Sequence, residues 1–144
     1  KFRITRGSLI CVPIVNVFGF NNGSRYLPDR RDLNRSFPGS ANGPLSSRLA
    51  NIFLENIVKN SHYGIDLHSG AVHRANLPQI RACLDNPKTM AFAQSFGAPV
   101  TMNSKLRDGS IRVAAEDHDV TMLLFEGGEA LRHDERRRNS VDYE

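Results

Sequence analysis

The sequence holds two cysteines, Cys11 and Cys83, and no tryptophan in 144 residues. Both cysteines lie among apolar residues and no Cys-x-x-Cys pair occurs. A disulfide scaffold is therefore excluded, and a reducing, cytoplasmic compartment is the expectation. No apolar run approaches the roughly 20 residues that a membrane span needs, so no membrane association is expected. The opening Lys1-Phe2-Arg3-Ile4 lacks the apolar region of a secretory signal. Internal repeats and low-complexity linkers are also missing. What is there is the composition of a globular domain, 40% hydrophobic and 24% charged. A chain of this length builds one core rather than two.

The net charge is +4, which raises the question of nucleic acid. Most of the arginines fall into three groups: Arg25, Arg30, Arg31 and Arg35; Arg74 and Arg81; and Arg132 with Arg136, Arg137 and Arg138. Asp29, Asp32, Asp134 and Glu135 are interspersed among them. A nucleic-acid surface shows a continuous basic stripe with aromatic platforms. Basic residues punctuated by acids fit a small carboxylate ligand better, so no nucleic-acid partner is expected. The Arg136-Arg137-Arg138 run reads as a solvated helix face.

Apolar runs of β type alternate with helix-like stretches. Ser8 to Val15 is continuously apolar and predicts a strand buried on both faces, irregular at Pro13. Residues 16–43 read as a long functional loop. Pro44 to Asn60 has helical spacing at Leu45, Leu49, Ile52, Phe53 and Ile57. Tyr63 to His68 reads as a strand before a Ser69-Gly70 turn, and Gln79 to Leu84 as another. Pro87 to Phe96 reads as a helix closed by Gly97. Pro99 to Asn103 is a short strand, Ser110 to His118 a helix, and Val120 to Glu126 the most apolar strand. The alternation predicts an α/β three-layer sandwich with a mixed, largely parallel sheet. In such sheets ligands collect beyond the carboxyl ends of strands, where His68 and Glu126 fall.

Three groups of residues carry chemistry. Asp66 and His68 are two apart on a strand and share a face, so the carboxylate can orient the imidazole as a metal ligand. The same spacing also suits a buried pair that only satisfies itself. Glu126 ends an apolar strand before two glycines and is suited to general-base work on a water; a strand-end glutamate capping a helix is the plainer alternative. Glu129 is the weaker candidate. In Arg25–Gly39, Asn34 and Arg35 form a fork of donors for a carboxylate, with Asp29 and Asp32 placed to hold the arginines. A salt-bridged surface loop is the alternative, but Asn34-Arg35-Ser36-Phe37-Pro38-Gly39 suggests a fixed conformation.

Asp32-Leu33-Asn34-Arg35 with Phe37-Pro38-Gly39, then Asp66-Leu67-His68, then Glu126-Gly127-Gly128, in that order, resemble the succinylglutamate desuccinylase/aspartoacylase family of zinc carboxypeptidase-like hydrolases. Asn76-Leu77-Pro78 and Ile80-Arg81 resemble a less characterised bacterial branch. The resemblance implies a zinc-dependent hydrolase acting on N-acyl amino acids or similar small carboxylates. It implies His68 as a zinc ligand, Asp66 behind it, and Glu126 as the catalytic glutamate. Asn34, Arg35 and Arg112 would hold the substrate's carboxylates, and Arg25 would stabilise the oxyanion.

One feature of the family is missing. Its first two zinc ligands come from an upstream His-x-x-Glu motif, and no histidine here has a glutamate three positions later. The family's C-terminal β-rich domain has no counterpart either. With Lys1 in place of a starting methionine, the chain is expected to be an internal segment, residues 1–144 of a single catalytic domain. A zinc carboxypeptidase acting on peptides and a metal-free binding relative are the alternative readings, and a homo-oligomer is left open.

Overall fold

The computed structural model describes residues 4–131. Its centre is a four-stranded mixed sheet in the order β1-β4-β2-β3, with β1 at Tyr63–Gly70, β2 at Asn76–Ala82, β3 at Val100–Asn103 and β4 at Thr121–Glu129. β1 runs parallel to β4 and β2 parallel to β3, while β2 and β4 are antiparallel. The strand that follows β1 in sequence is thus separated from it in space by the last one. Four helices, α1 (Val17–Asn21), α2 (Leu45–Asn56), α3 (Pro87–Phe96) and α4 (Ile111–Glu116), complete the order.

Helices cover both faces of the sheet, as the alternation of elements predicts. Successive strand residues point to opposite faces, and this sorts the core into two clusters. On one face Ile80, Ala82 and Leu123 pack with Ala93, Phe92 and Phe96 of α3. On the other, Met122 packs on a cluster built from Ala50 and Leu54 of α2, Ile111, Ala114 and Ala115 of α4, and Leu27, Leu33 and Phe37 of the long loop. Leu54, Ile80 and Leu123 are the largest fully buried side chains. Burial of each contributes about 1.5–3 kcal/mol.

The helix signals in the sequence are realised. Asn86 accepts from the Lys88 and Thr89 amides to start α3, with Pro87 in the first turn, and Gly97 at φ 71° ends it in the left-handed conformation. Ser110 caps α4. α2 stops at Asn56, and Val58–Asn60 continues as a 3-10 turn, so the expected single helix to Asn60 is broken near Ile57. The expected Ser69-Gly70 turn belongs to β1, and the chain reverses at residues 71–74 instead.

One expected strand does not form. Ser8–Val15 is irregular, with Leu9 71% and Ile10 50% exposed. Cys11 is exposed rather than in an apolar setting. A β-type composition becomes a strand only against a neighbour that takes up its backbone bonds, and no described strand lies beside this run. β1 likewise stands at the sheet edge, turning Gly64, Asp66 and His68 inward and leaving Ile65 and Leu67 exposed. Among the described residues no helix is long and apolar enough to cross a membrane. Arg132, Arg136, Arg137 and Arg138 lie outside the described residues.

Candidate active site

Register brings the chemistry together. His68 of β1 lies opposite Glu126 of β4, and Glu126 lies opposite Gln79 of β2. Two residues earlier, Asp66 pairs with Leu124, and Leu124 with Arg81. Paired residues on neighbouring strands point to one face. Asp66, His68, Glu126 and Arg81 therefore share the face that α2 and α4 cover.

Asp66 Oδ2 lies 2.8 Å from His68 Nε2. A carboxylate only accepts, so Nε2 is the donor, and in the neutral imidazole this tautomer leaves the lone pair on Nδ1. Both side chains are about a fifth exposed, at 23% and 22%. The pair is thus neither sealed in the core nor loose on the surface. A histidine whose second nitrogen is held by a carboxylate is the arrangement of a metal ligand.

The Glu126 carboxylate has partners that the sequence does not announce. Asn76 Nδ2 donates to its Oε2, across 50 residues of sequence. Arg81 Nε lies 3.7 Å from its Oε1. That Nε is buried without a hydrogen bond. Both neighbours belong to the Asn76–Arg81 stretch, which carries the resemblance to the bacterial branch but no expected role.

Beyond Glu126 the ladder is irregular on both sides. The β1–β4 register shifts between His68 and Gly70, and the β2–β4 register between Asn76 and Gln79. Such bulges re-aim side chains beside sites. A Cβ on Gly70 would stand 2.0 Å from the Arg74 carbonyl and 2.9 Å from that of Gly128, so only glycine lets the 71–74 turn close here. Glu129, the weaker candidate, anchors this turn by accepting from the His73 amide at 2.9 Å.

The arginine loop has a fixed conformation. Arg25 Nε donates to Asp32 Oδ2 at 2.8 Å, and Asp32 Oδ1 accepts from the Asn34 amide at 2.9 Å. Asn34 Oδ1 in turn accepts from the Ile111 amide at 2.9 Å, tying the loop to the first turn of α4. Among the described residues, Asp29 does not hold an arginine side chain. Its Oδ2 accepts from the Ser46 amide at 2.8 Å and caps α2, a bond that lowers the carboxyl's pKa below its ordinary 3.8. Arg35 is exposed, with Nη1 on the Asn34 carbonyl, and lines a surface depression of about 380 Å³ with Arg31. Among the described residues, Arg25, Asn34 and Arg35 make no hydrogen bond or ion pair to His68 or Glu126.

Arg112 occupies a different place from the other arginines. It is 8% exposed and donates from Nη1 to the Arg81 carbonyl at 3.3 Å. Burial lowers its pKa from the usual arginine value, and the charge of Asp66 opposes that shift. It walls a cleft of about 460 Å³ with Thr121 and Met122, at the end of β4 opposite to Glu126. The structure thus brings together Asp66, His68 and Glu126, adds Asn76 and Arg81, and places Arg112 near enough for its charge to interact with Asp66.

His68 Nδ1 offers one position that suits zinc, an imidazole nitrogen backed by a carboxylate. Among the described residues, no group of three or more His, Cys, Asp or Glu side chains could hold a metal ion. The described residues thus offer one candidate ligand, not a complete set.

The fold is a mixed α/β sandwich, and its site sets a carboxylate-backed imidazole beside a glutamate on the neighbouring strand. The chain belongs to the family described as the succinylglutamate desuccinylase/aspartoacylase catalytic domain, whose model matches residues 3–142. It is 34% identical over 100 residues to an N-alpha-acetyl-L-2,4-diaminobutyric acid deacetylase of Halomonas elongata, covering 65% of this chain and 29% of that protein. A product-bound structure of the ectoine utilization protein EutE (DoeB) from Ruegeria pomeroyi superposes with a TM-score of 0.78 at 27% identity, over 91% of this chain and 42% of that one. A succinylglutamate desuccinylase/aspartoacylase structure from Rhodobacter sphaeroides gives a TM-score of 0.74 at 26% identity, over 91% and 40%. The chain spans well under half the length of these relatives.

Proposed function

We propose that residues 1–144 form part of a single catalytic domain of a zinc-dependent hydrolase that cleaves the amide bond of N-acyl amino acids or similar small carboxylates. The observation that carries the reading is the Asp66–His68 hydrogen bond set opposite Glu126 on the neighbouring strand. Family membership and the deacetylase relative support the reaction class.

His68 would hold zinc through Nδ1, with the remaining ligands supplied from outside the described residues. Bound there, zinc supplies polarisation of the scissile carbonyl and acidification of a water. Glu126 takes the proton of the attacking water and later delivers it to the departing amine. Asn34 and Arg35 hold substrate carboxylates, and Arg25 faces the developing oxyanion, with Asp32 setting the direction of its guanidinium. Arg112 was expected to join the carboxylate clamp. Its burial and its bond to the Arg81 carbonyl support a different role, carrying positive charge that interacts with Asp66.

Turnover of a panel of N-acetyl and N-succinyl amino acids by the full-length protein tests the reading. Cleavage of these, with an amino-blocked dipeptide that keeps its free carboxyl end left intact, is the expected result. Cleavage of peptides instead assigns a carboxypeptidase. Binding without cleavage, by a protein that takes up no zinc, assigns a metal-free relative. The small-carboxylate substrate also accounts for the basic excess without nucleic acid.

A further inference from the structure

Glu126 offers two carboxylate oxygens, and general-base work needs one of them within about 2.6–3.2 Å of the proton it takes. An unrestrained glutamate rotates between several rotamers and presents either oxygen. Here Asn76 donates to Oε2, and Arg81 stands beside Oε1 without bonding to it, at 3.7 Å. We propose that Asn76 and Arg81 are positioning residues for Glu126: Asn76 pins Oε2 so that Oε1 is the oxygen presented to the water, and Arg81 fixes the side from which Oε1 is approached. This rests on the reading of Glu126 as general base.

The strand geometry is built to deliver Asn76. Gln79 lies opposite Glu126 in the antiparallel β2–β4 pair, so an unbroken register would set Asn76 opposite Glu129. The observed partner is Gly128, one residue nearer to Glu126. Pro78, within the shifted stretch, has no amide to give the ladder. The irregularity thus brings the amide side chain of Asn76 onto the carboxylate. Sheet pairing does not require this contact, since the backbone bonds on either side form without it.

Arg81 is held on the other side. Its carbonyl accepts from Arg112, and its Nε is buried and without a hydrogen-bond partner. A buried donor left unpaired beside a carboxylate is costly unless something completes it. Catalytic contacts of this kind are commonly long without substrate and tighten in the complex. About a third of the Arg81 side chain, 34%, is exposed.

The test uses the full-length protein, the best substrate of the N-acyl amino acid panel, and the variants Asn76→Ala, Asn76→Asp, Arg81→Ala and Arg81→Lys. Each is made alone and on Glu126→Gln. Asn76→Ala should lower kcat roughly 10- to 100-fold with KM unchanged. Asn76→Asp, equal in size but with a like charge against Glu126, should lower it further. Arg81→Lys should restore part of what Arg81→Ala loses. On Glu126→Gln none of the four should cost anything more, because their effect passes through Glu126. An unchanged kcat, a rise in KM alone, or an equal loss on Glu126→Gln overturns the proposal. A wild type that cleaves nothing in the panel refutes the hydrolase reading instead. The pinning is then decided by a crystal structure of that protein, in which Asn76 on Oε2 sustains it and Asn76 turned away overturns it.

Discussion

His68 and Glu126 stand opposite each other on neighbouring parallel strands, one with its imidazole tied to Asp66, the other with its carboxylate tied to Asn76. Adjacent strands are about 4.8 Å apart, so a ligand held by one side chain lies within reach of the other. Asp66 sets the direction of the imidazole, and Asn76 and Arg81 flank the two oxygens of the carboxylate.

Glu126→Gln keeps the size of the side chain and removes its capacity to take a proton. Steady-state turnover should fall by roughly 10²- to 10⁴-fold, while the far-ultraviolet spectrum and zinc content match the wild type. Undiminished turnover would take the proton-transfer role away from Glu126.

Arg35→Ala removes an exposed guanidinium whose Nη1 bonds only the neighbouring Asn34 carbonyl. If Arg35 holds a substrate carboxylate in the ground state as in the transition state, KM should rise roughly 10- to 100-fold, the equivalent of a lost charged hydrogen bond. kcat should be unaffected. A fall in kcat at constant KM would place Arg35 at the reacting bond instead.

Asp29 caps α2, and the Ser46 amide lowers its pKa below 3.8. The ionised form is favoured by folding, so its contribution is present above the unfolded-state value and is lost as pH falls through the lower folded-state value. Asp29→Asn, which keeps an acceptor but not the charge, should melt below the wild type at neutral pH. The gap should close as the pH is taken below 3.8. A gap that persists at the lowest pH would assign the difference to shape rather than charge.

Leu123 is fully buried between Ile80, Ala82 and the α3 side chains. Leu123→Ala should cost about 2–5 kcal/mol in urea unfolding, the transfer term plus the cavity. A loss below that range would mean that the α3 side of the core closes over the vacancy.

The helix caps and the short-range motif around His68 were legible from residues alone. Asn86-Pro87 and Gly97 bracket α3 because their backbone preferences are local. Asp66 and His68 meet because strand geometry places alternate residues on one face. The partners of Glu126 were not legible. Asn76 and Arg81 reach it only because β4, made last, inserts between β1 and β2, and nothing in a local pattern encodes that insertion. Asn76-Leu77-Pro78 carried a signal all the same, a proline inside a strand, which marks an irregular register. The Ser8–Val15 expectation failed for the complementary reason. Its residues have β character, but the neighbour that would make them a strand is not among the described residues.

Zinc per chain, by elemental analysis of the full-length protein purified without chelators, tests the central claim most directly. The account predicts about one zinc per chain, as a catalytic site with three protein ligands and an open water position requires, and its loss on His68→Ala. A wild type that holds no zinc and takes none up, or a His68→Ala variant that keeps its full complement, would contradict it.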